Sequence, residues 1–212
     1  NAHFKPGDLV VGMTGWQTHS ICDGTQVVSV PKDLPSPSMA VGVLGMPGMT
    51  AYMGLMDIGK PKAGETLVVA AASGAVGSVV GQVAKLKGLR VVGIAGGAKK
   101  CRYVVDELGF DACIDHKSEH FADELAKACG NGIDIYFELV GGKVFDAVLP
   151  LLNARARIPL CGLIAQYNAQ SLPEGTDHLP LLMRTLLTKR ARIQGFIVFE
   201  EYGDRHAEFL AA

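Results

Sequence analysis

From about residue 66 onward the apolar positions follow two alternating patterns. Short runs of Val, Ile, Leu and Ala fill successive positions, then give way to longer stretches in which apolar residues recur every three or four positions. The first pattern suits strands buried on both faces, and the second suits helices with one apolar stripe. The patterns predict strands at 67–72, 90–95, near 112–114, 133–138, 155–161 and 192–198. Helices are predicted between them at about 75–87, 98–108, 119–129, 143–151 and 178–188. Repeated strand-helix-strand units predict an α/β fold: a doubly wound parallel sheet with helices on both faces and right-handed crossovers. Ligands of such sheets lie at the carboxyl ends of the strands, here near Ala72, Gly96, Asp115, Glu138, Gly162 and Val198. Pro159 has no N–H to give a ladder, so a bulge or bend is expected there.

The first third reads differently. Short β-rich runs at 8–13, 17–21 and 25–30 are broken by turns, and a proline-punctuated stretch with helical character at 39–44 and 50–58 follows. The expected division is a small β element over 1–38, a connecting helical segment over 39–65 and the sheet domain over 66–212. Met49, Met53 and Met56 recur at helical spacing and are expected to pack in a core. Trp16 is expected to be a buried anchor or the floor of a substrate pocket. The helical pattern at Phe209–Ala212 breaks off abruptly, so the sequence is expected to be part of a longer protein.

Composition narrows the function classes. The 212 residues carry a formal net charge of −1, with no basic stripe for nucleic acid and no apolar run long enough to span a membrane. Arg184, Lys189, Arg190 and Arg192 cluster near a helix end, where cations suit the dipole. Cys22, Cys101, Cys113, Cys129 and Cys161 are scattered and odd in number, so neither a disulfide framework nor a metal knuckle is written here. A cytoplasmic protein without a bound metal is expected.

The chemistry concentrates where the strand at 67–72 runs into Ser73-Gly74-Ala75-Val76-Gly77. Small residues allow a sharp turn, a pyrophosphate can approach Gly74, and Gly77 lets the helix pack close to its strand. Unpaired N–H groups of the first helical turn then face the anion. In NAD-binding members of this fold an acid about 20 residues further on bonds the ribose hydroxyls. This chain instead has Gly96-Gly97-Ala98-Lys99-Lys100, small residues and cations that would accept the 2′-phosphate of NADP. Lysines in a first helical turn oppose the dipole, so Lys100 requires either solvent or that phosphate.

Further segments complete a recognisable set: Gly45-Met46-Pro47-Gly48-Met49-Thr50-Ala51-Tyr52, Pro61-Lys62-Ala63-Gly64-Glu65-Thr66, Val140-Gly141-Gly142, Cys161-Gly162-Leu163-Ile164-Ala165-Gln166-Tyr167-Asn168 and Phe196-Ile197-Val198. With the glycine turn and Gly93-Ile94-Ala95-Gly96-Gly97, they resemble the zinc-independent medium-chain dehydrogenases/reductases. Within that family the resemblance is to prostaglandin reductases, alkenal double-bond reductases and bacterial NADPH-dependent curcumin reductases. It implies a Rossmann domain preceded by part of a GroES-like β domain. It also implies NADPH-dependent reduction of the carbon-carbon double bond of α,β-unsaturated ketones or aldehydes, in a homodimer joined near Ile193–Phe199.

Site residues follow from the resemblance position by position. Met46 and Thr50 match residues beside the nicotinamide, while Gly74, Ala75 and Val76 match those that hold the pyrophosphate. Lys100 matches the 2′-phosphate lysine. His116 replaces a tyrosine near that phosphate, which would make the contact pH-dependent. Cys161 and Ile164 match positions lining the cleft, and Phe196 and Val198 match backbone contacts to the carboxamide. Leu139 replaces a common asparagine. Tyr167 matches a tyrosine near the nicotinamide ribose and is the candidate donor to the substrate carbonyl, since a phenol is a neutral donor; alternatively its ring packs at the strand end. A quinone reductase on the same fold and a non-catalytic NADPH-binding protein are the competing readings. The 212 residues alone are expected to bind NADP(H) and turn over poorly.

Overall fold

The computed structural model describes residues 3–171 and 177–212. Two sheets form. Strands β1 (Val10–Gly12) and β2 (Val27–Ser29) make a short antiparallel ribbon, whereas β3 (Thr66–Val69), β4 (Arg90–Ala95), β5 (Ala112–Asp115), β6 (Ile133–Phe137), β7 (Leu152–Leu160) and β8 (Arg192–Gly195) make a six-stranded sheet. Its order is β5-β4-β3-β6-β7-β8, and every pairing in it is parallel. The strand order reverses between β3 and β6, which opens a crevice at their carboxyl ends.

The central strands are apolar on both sides because both sides are covered. Leu67 and Val69 of β3 face one core cluster, together with α1 (Met46–Met53) and α2 (Gly77–Leu86). Val68 and the following Ala70 face the other. That second cluster receives α4 (Phe121–Ala128) and α5 (Gly142–Val148) through Leu125, Val144 and Val148. Helix α3 (Ala98–Asp106) adds Val104 to the first cluster, and α6 (Leu179–Lys189) lies on the second side through Leu182. Met49 and Met53 are fully buried, as their spacing predicted.

Pro159 does interrupt a ladder. Its carbonyl accepts the Glu138 N–H at 2.9 Å, but it can return no bond. The β6–β7 register shifts between Ile133 and Ile135, which pairs with Arg157, and beyond that pair comes an isolated Glu138–Leu160 bridge. Arg155, in the bulged part of β7, adopts a left-handed φ of 64°.

Three expectations need correction. Residues 17–21 form no strand, and Trp16 is fully exposed rather than buried. The ribbon's strands have three residues each, too few to enclose an indole, and they pair only with each other, which leaves 17–21 without a ladder partner. The strand expected over 192–198 ends at Gly195, and Val198 opens α7 (Val198–Tyr202), followed by α8 (His206–Ala211). The chain turns because Phe196 buries its ring edge-on against Phe137 and Tyr202. Glu200 and Glu201 then sit in the first turn of α7, where the dipole favours them.

Beyond α1 a wide helical turn, Gly54–Gly59, leads to β3. Arg157 clasps the two: it donates to the carbonyls of Gly59 (2.8 Å) and Lys60 (3.1 Å) and pairs with Glu65. Both side chains are under one-fifth exposed. Arg157→Ala strands a carboxylate and two carbonyls and is expected to lower unfolding free energy by about 2 kcal/mol, read by urea titration.

Candidate functional site

The crevice at the β3–β6 switch point holds a cavity of about 520 Å³. Its floor is the turn after β3. Ala71 takes a left-handed φ of 48°, and the Ala72 N–H is tied to the Ile94 carbonyl at 2.9 Å, securing the turn to β4. The Gly74 N–H returns to the Ala71 carbonyl at 2.8 Å. The N–H groups of Ala75, Val76 and Gly77 then find no protein acceptor among the described residues. They are open donors at the start of α2, the arrangement that suits an anion.

Gly77 has no room for a side chain. A Cβ there would lie 2.4 Å from the Ala71 carbonyl oxygen. Four residues on, a Cβ on Gly81 would enter the Phe110 ring at 1.8 Å. These glycines set α2 directly against the turn and the sheet.

The next wall is cationic. Lys100, His116 and Lys117 line the cavity with Gly96. Lys100 projects from the first turn of α3 and has no ion-pair partner among the described residues. Asp115 shapes this wall from behind: its Oδ1 accepts the N–H groups of Lys117 (3.0 Å) and Gly97 (2.8 Å). Those bonds hold its pKa below the usual 3.8. The folded value lies below the unfolded one, so the stabilisation is present above about pH 3.9 and is lost as pH falls through the folded value. Asp115→Asn is expected to lower Tm at pH 7, with the gap closing as pH drops below about 3.9, as read by thermal unfolding from pH 2 to 7.

The far wall comes from the loops after β6 and β7, through Val140, Val144, Ile164 and Ala165. Cys161 lies partly buried at the end of β7, packed against the first core cluster. Burial pushes its thiol up to about 11, so it is a neutral group rather than a nucleophile. Tyr167 is two-thirds exposed, and its hydroxyl stands 3.4 Å from the Leu163 N–H.

Of the residues singled out in the sequence, Gly74, Gly96, Lys100, His116 and Ile164 line this one cavity. Ala75, Val76 and Gly77 follow Gly74 in the chain but are not among the residues that line the cavity, and Gly97 is held beside it by Asp115. Met46 is half exposed at the start of α1, and the Thr50 hydroxyl is spent on the Met46 carbonyl at 2.7 Å. Phe196 and Val198 turn their side chains into the core, which leaves only their backbone for a ligand. Lys117 was missed: it follows a strand end and belongs to no motif, and only the β5 register brings it opposite Gly96.

The profile of the family described as "Zinc-binding dehydrogenase" matches residues 75–211. The chain belongs to that family. It is similar to an NADPH-dependent curcumin reductase of Escherichia coli, 62% identical over 206 residues, covering 97% of this chain and 60% of the relative. It is 48% identical over 202 residues to an NADP(+)-dependent 2-alkenal reductase of Nicotiana tabacum, covering 94% and 57%. Its fold superposes on CurA from Vibrio vulnificus, crystallised with NADPH, with a TM-score of 0.92 and 64% identity, covering 99% of this chain and 62% of that one. The chain thus spans about 60% of the length of these dehydrogenase-family relatives. Despite the family's name, no three His, Cys, Asp or Glu side chains come together to hold a metal among the described residues.

Proposed function

We propose that this chain is the cofactor-holding part of an NADPH-dependent reductase acting on the carbon-carbon double bond of α,β-unsaturated ketones or aldehydes. One observation carries the reading: Ser73 and Gly74, which lead directly into the open N–H donors of Ala75–Gly77, line a single cleft with the cationic wall of Lys100, His116 and Lys117. A pyrophosphate needs the first and a ribose 2′-phosphate the second. The relatives named for NADPH and for alkenals support the same reading.

NADPH, when bound, would supply the hydride. The chain's own residues would bind and orient. Gly74–Gly77 would seat the pyrophosphate, and Gly96, Gly97, Lys100 and His116, with Lys117, the phosphorylated ribose. Ile164 would line the far wall, with Cys161 packed against the core cluster at the base of the same loop. Met46, Thr50 and the backbone of Phe196 and Val198 would bracket the nicotinamide. Tyr167, exposed at the rim, would donate its hydroxyl proton to a hydrogen bond at the substrate carbonyl or the cofactor ribose, where negative charge develops. Residues 1–38 would belong to a GroES-like β domain, 39–65 to a connector and 66–212 to the Rossmann domain. Two copies would join along the edge strand Arg192–Gly195, the part of the expected Ile193–Phe199 seam that is a strand, in the cytoplasm.

The test follows NADPH absorbance in the full-length protein with a 2-alkenal, an enone, a saturated aldehyde and a quinone. Consumption with the first two alone supports the proposal; consumption with the quinone alone overturns it in favour of a quinone reductase.

A further inference from the structure

Glu138 is 1% exposed at the carboxyl end of β6, and no Lys, Arg or His pairs with it among the described residues. A carboxylate in the interior without a cation is costly, and packing alone would be served by an apolar residue. Its hydrogen bonds show what it does. One oxygen accepts the N–H groups of both Val140 and Gly141, the latter at 2.9 Å, and the Tyr136 hydroxyl donates to the other at 3.0 Å. The backbone enters α5 through two successive residues of positive φ, Gly141 (φ 78°) and the helix's first residue, Gly142 (φ 56°). The carboxylate takes N–H groups at the entry to this turn that no helix or strand uses.

The loop after β7 hangs on the same segment. The Glu138 carbonyl accepts the N–H groups of Cys161 (3.0 Å) and Gly162 (3.2 Å), the Leu139 carbonyl that of Ile164 (3.1 Å), and the Val140 carbonyl that of Ala165 (3.1 Å). The two loops are in close contact: a Cβ on Gly141 would stand 3.1 Å from the Leu163 side chain. Val140, Ile164 and Ala165 all face the cavity, so moving the first loop moves that wall.

We propose that Glu138 is a positioning residue of the cofactor cleft, whose buried carboxylate fixes the 138–142 loop and, through it, the 161–165 loop against the ligand. The proposal rests on reading that cleft as the NADPH site. Burial raises its pKa while the Val140, Gly141 and Tyr136 donors pull the other way. The carboxyl therefore serves through its acceptor geometry, which an amide oxygen can reproduce.

The test measures amide hydrogen exchange by mass spectrometry without ligand, and NADPH affinity by fluorescence titration, in four variants. Glu138→Ala and Glu138→Asp, the second withdrawing the oxygen by one methylene, are expected to speed exchange at 138–142 and 161–166 about tenfold or more. Exchange in β3 and β4 should not change, and NADPH Kd should rise about tenfold. Glu138→Gln and Tyr136→Phe keep an acceptor for Val140 and Gly141 and are expected within about threefold of the parent in both readouts. If Glu138→Ala fails to fold, Glu138→Asp decides. Unchanged exchange at 161–166 and unchanged Kd in a folded Glu138→Asp would overturn the proposal. Faster exchange confined to these loops, in a protein whose parent binds no NADPH, would keep Glu138 as the loop anchor and fail only the cofactor reading.

Discussion

Gly77→Val is expected to abolish measurable NADPH binding and to lower the unfolding free energy by about 3 kcal/mol. The added Cβ would begin 2.4 Å from the Ala71 oxygen, 3.0 Å from the Ala71 carbonyl carbon and 3.1 Å from the Ala70 oxygen. All three are backbone atoms, so no side chain can rotate away. Either α2 retreats from β3 or the turn at Ala71 is forced open, and both displace the N–H groups of Ala75 and Val76 from where they would meet the proposed pyrophosphate. Gly203→Ala is the matched control, because open space surrounds that position and its backbone is helical at φ −56°. It should leave affinity and Tm unchanged. Calorimetric titration with NADPH and thermal unfolding read both variants.

The second large effect concerns which dinucleotide is chosen. Lys100→Ala combined with Lys117→Ala is expected to weaken NADPH binding about a hundredfold and NADH binding less than threefold. Each charge-assisted bond to a phosphate contributes roughly 1.5–3 kcal/mol, and NADH has no phosphate at that ribose. The selectivity of the unmodified chain should also shrink with added salt, since both lysines are exposed and screening acts on such charges. Equal losses for the two cofactors would mean that the lysines act on the pyrophosphate or on stability instead.

Much of the sheet domain could be read from the pattern because its strands are covered on both faces and its helices on one. Runs such as Leu67-Val68-Val69 and the stripe Gly77, Val80, Gly81, Ala84 leave little choice of period. The errors arose where local and tertiary preferences part. Ile193 to Val198 has the branched and aromatic residues of a strand, yet Phe196 gains more by packing on Phe137 and Tyr202 than by extending an edge. Residues 17–21 have strand-like composition but no partner to pair with. In the cleft, the glycine turn and Lys100 carried their own signals. Lys117 and the roles of Asp115 and Glu138 did not, because each depends on contacts across the fold: Asp115 to Gly97 and Glu138 to the loop that Cys161 and Ile164 hang from.

The proposed NADPH site joins the open donors of the β3–α2 turn to the cationic wall after β4 and β5. Isothermal titration of this chain with NADPH and with NADH at one salt concentration tests it most directly. One site per chain is expected, with NADPH bound at least tenfold more tightly than NADH. Equal affinity for the two, or heat from neither, would contradict it.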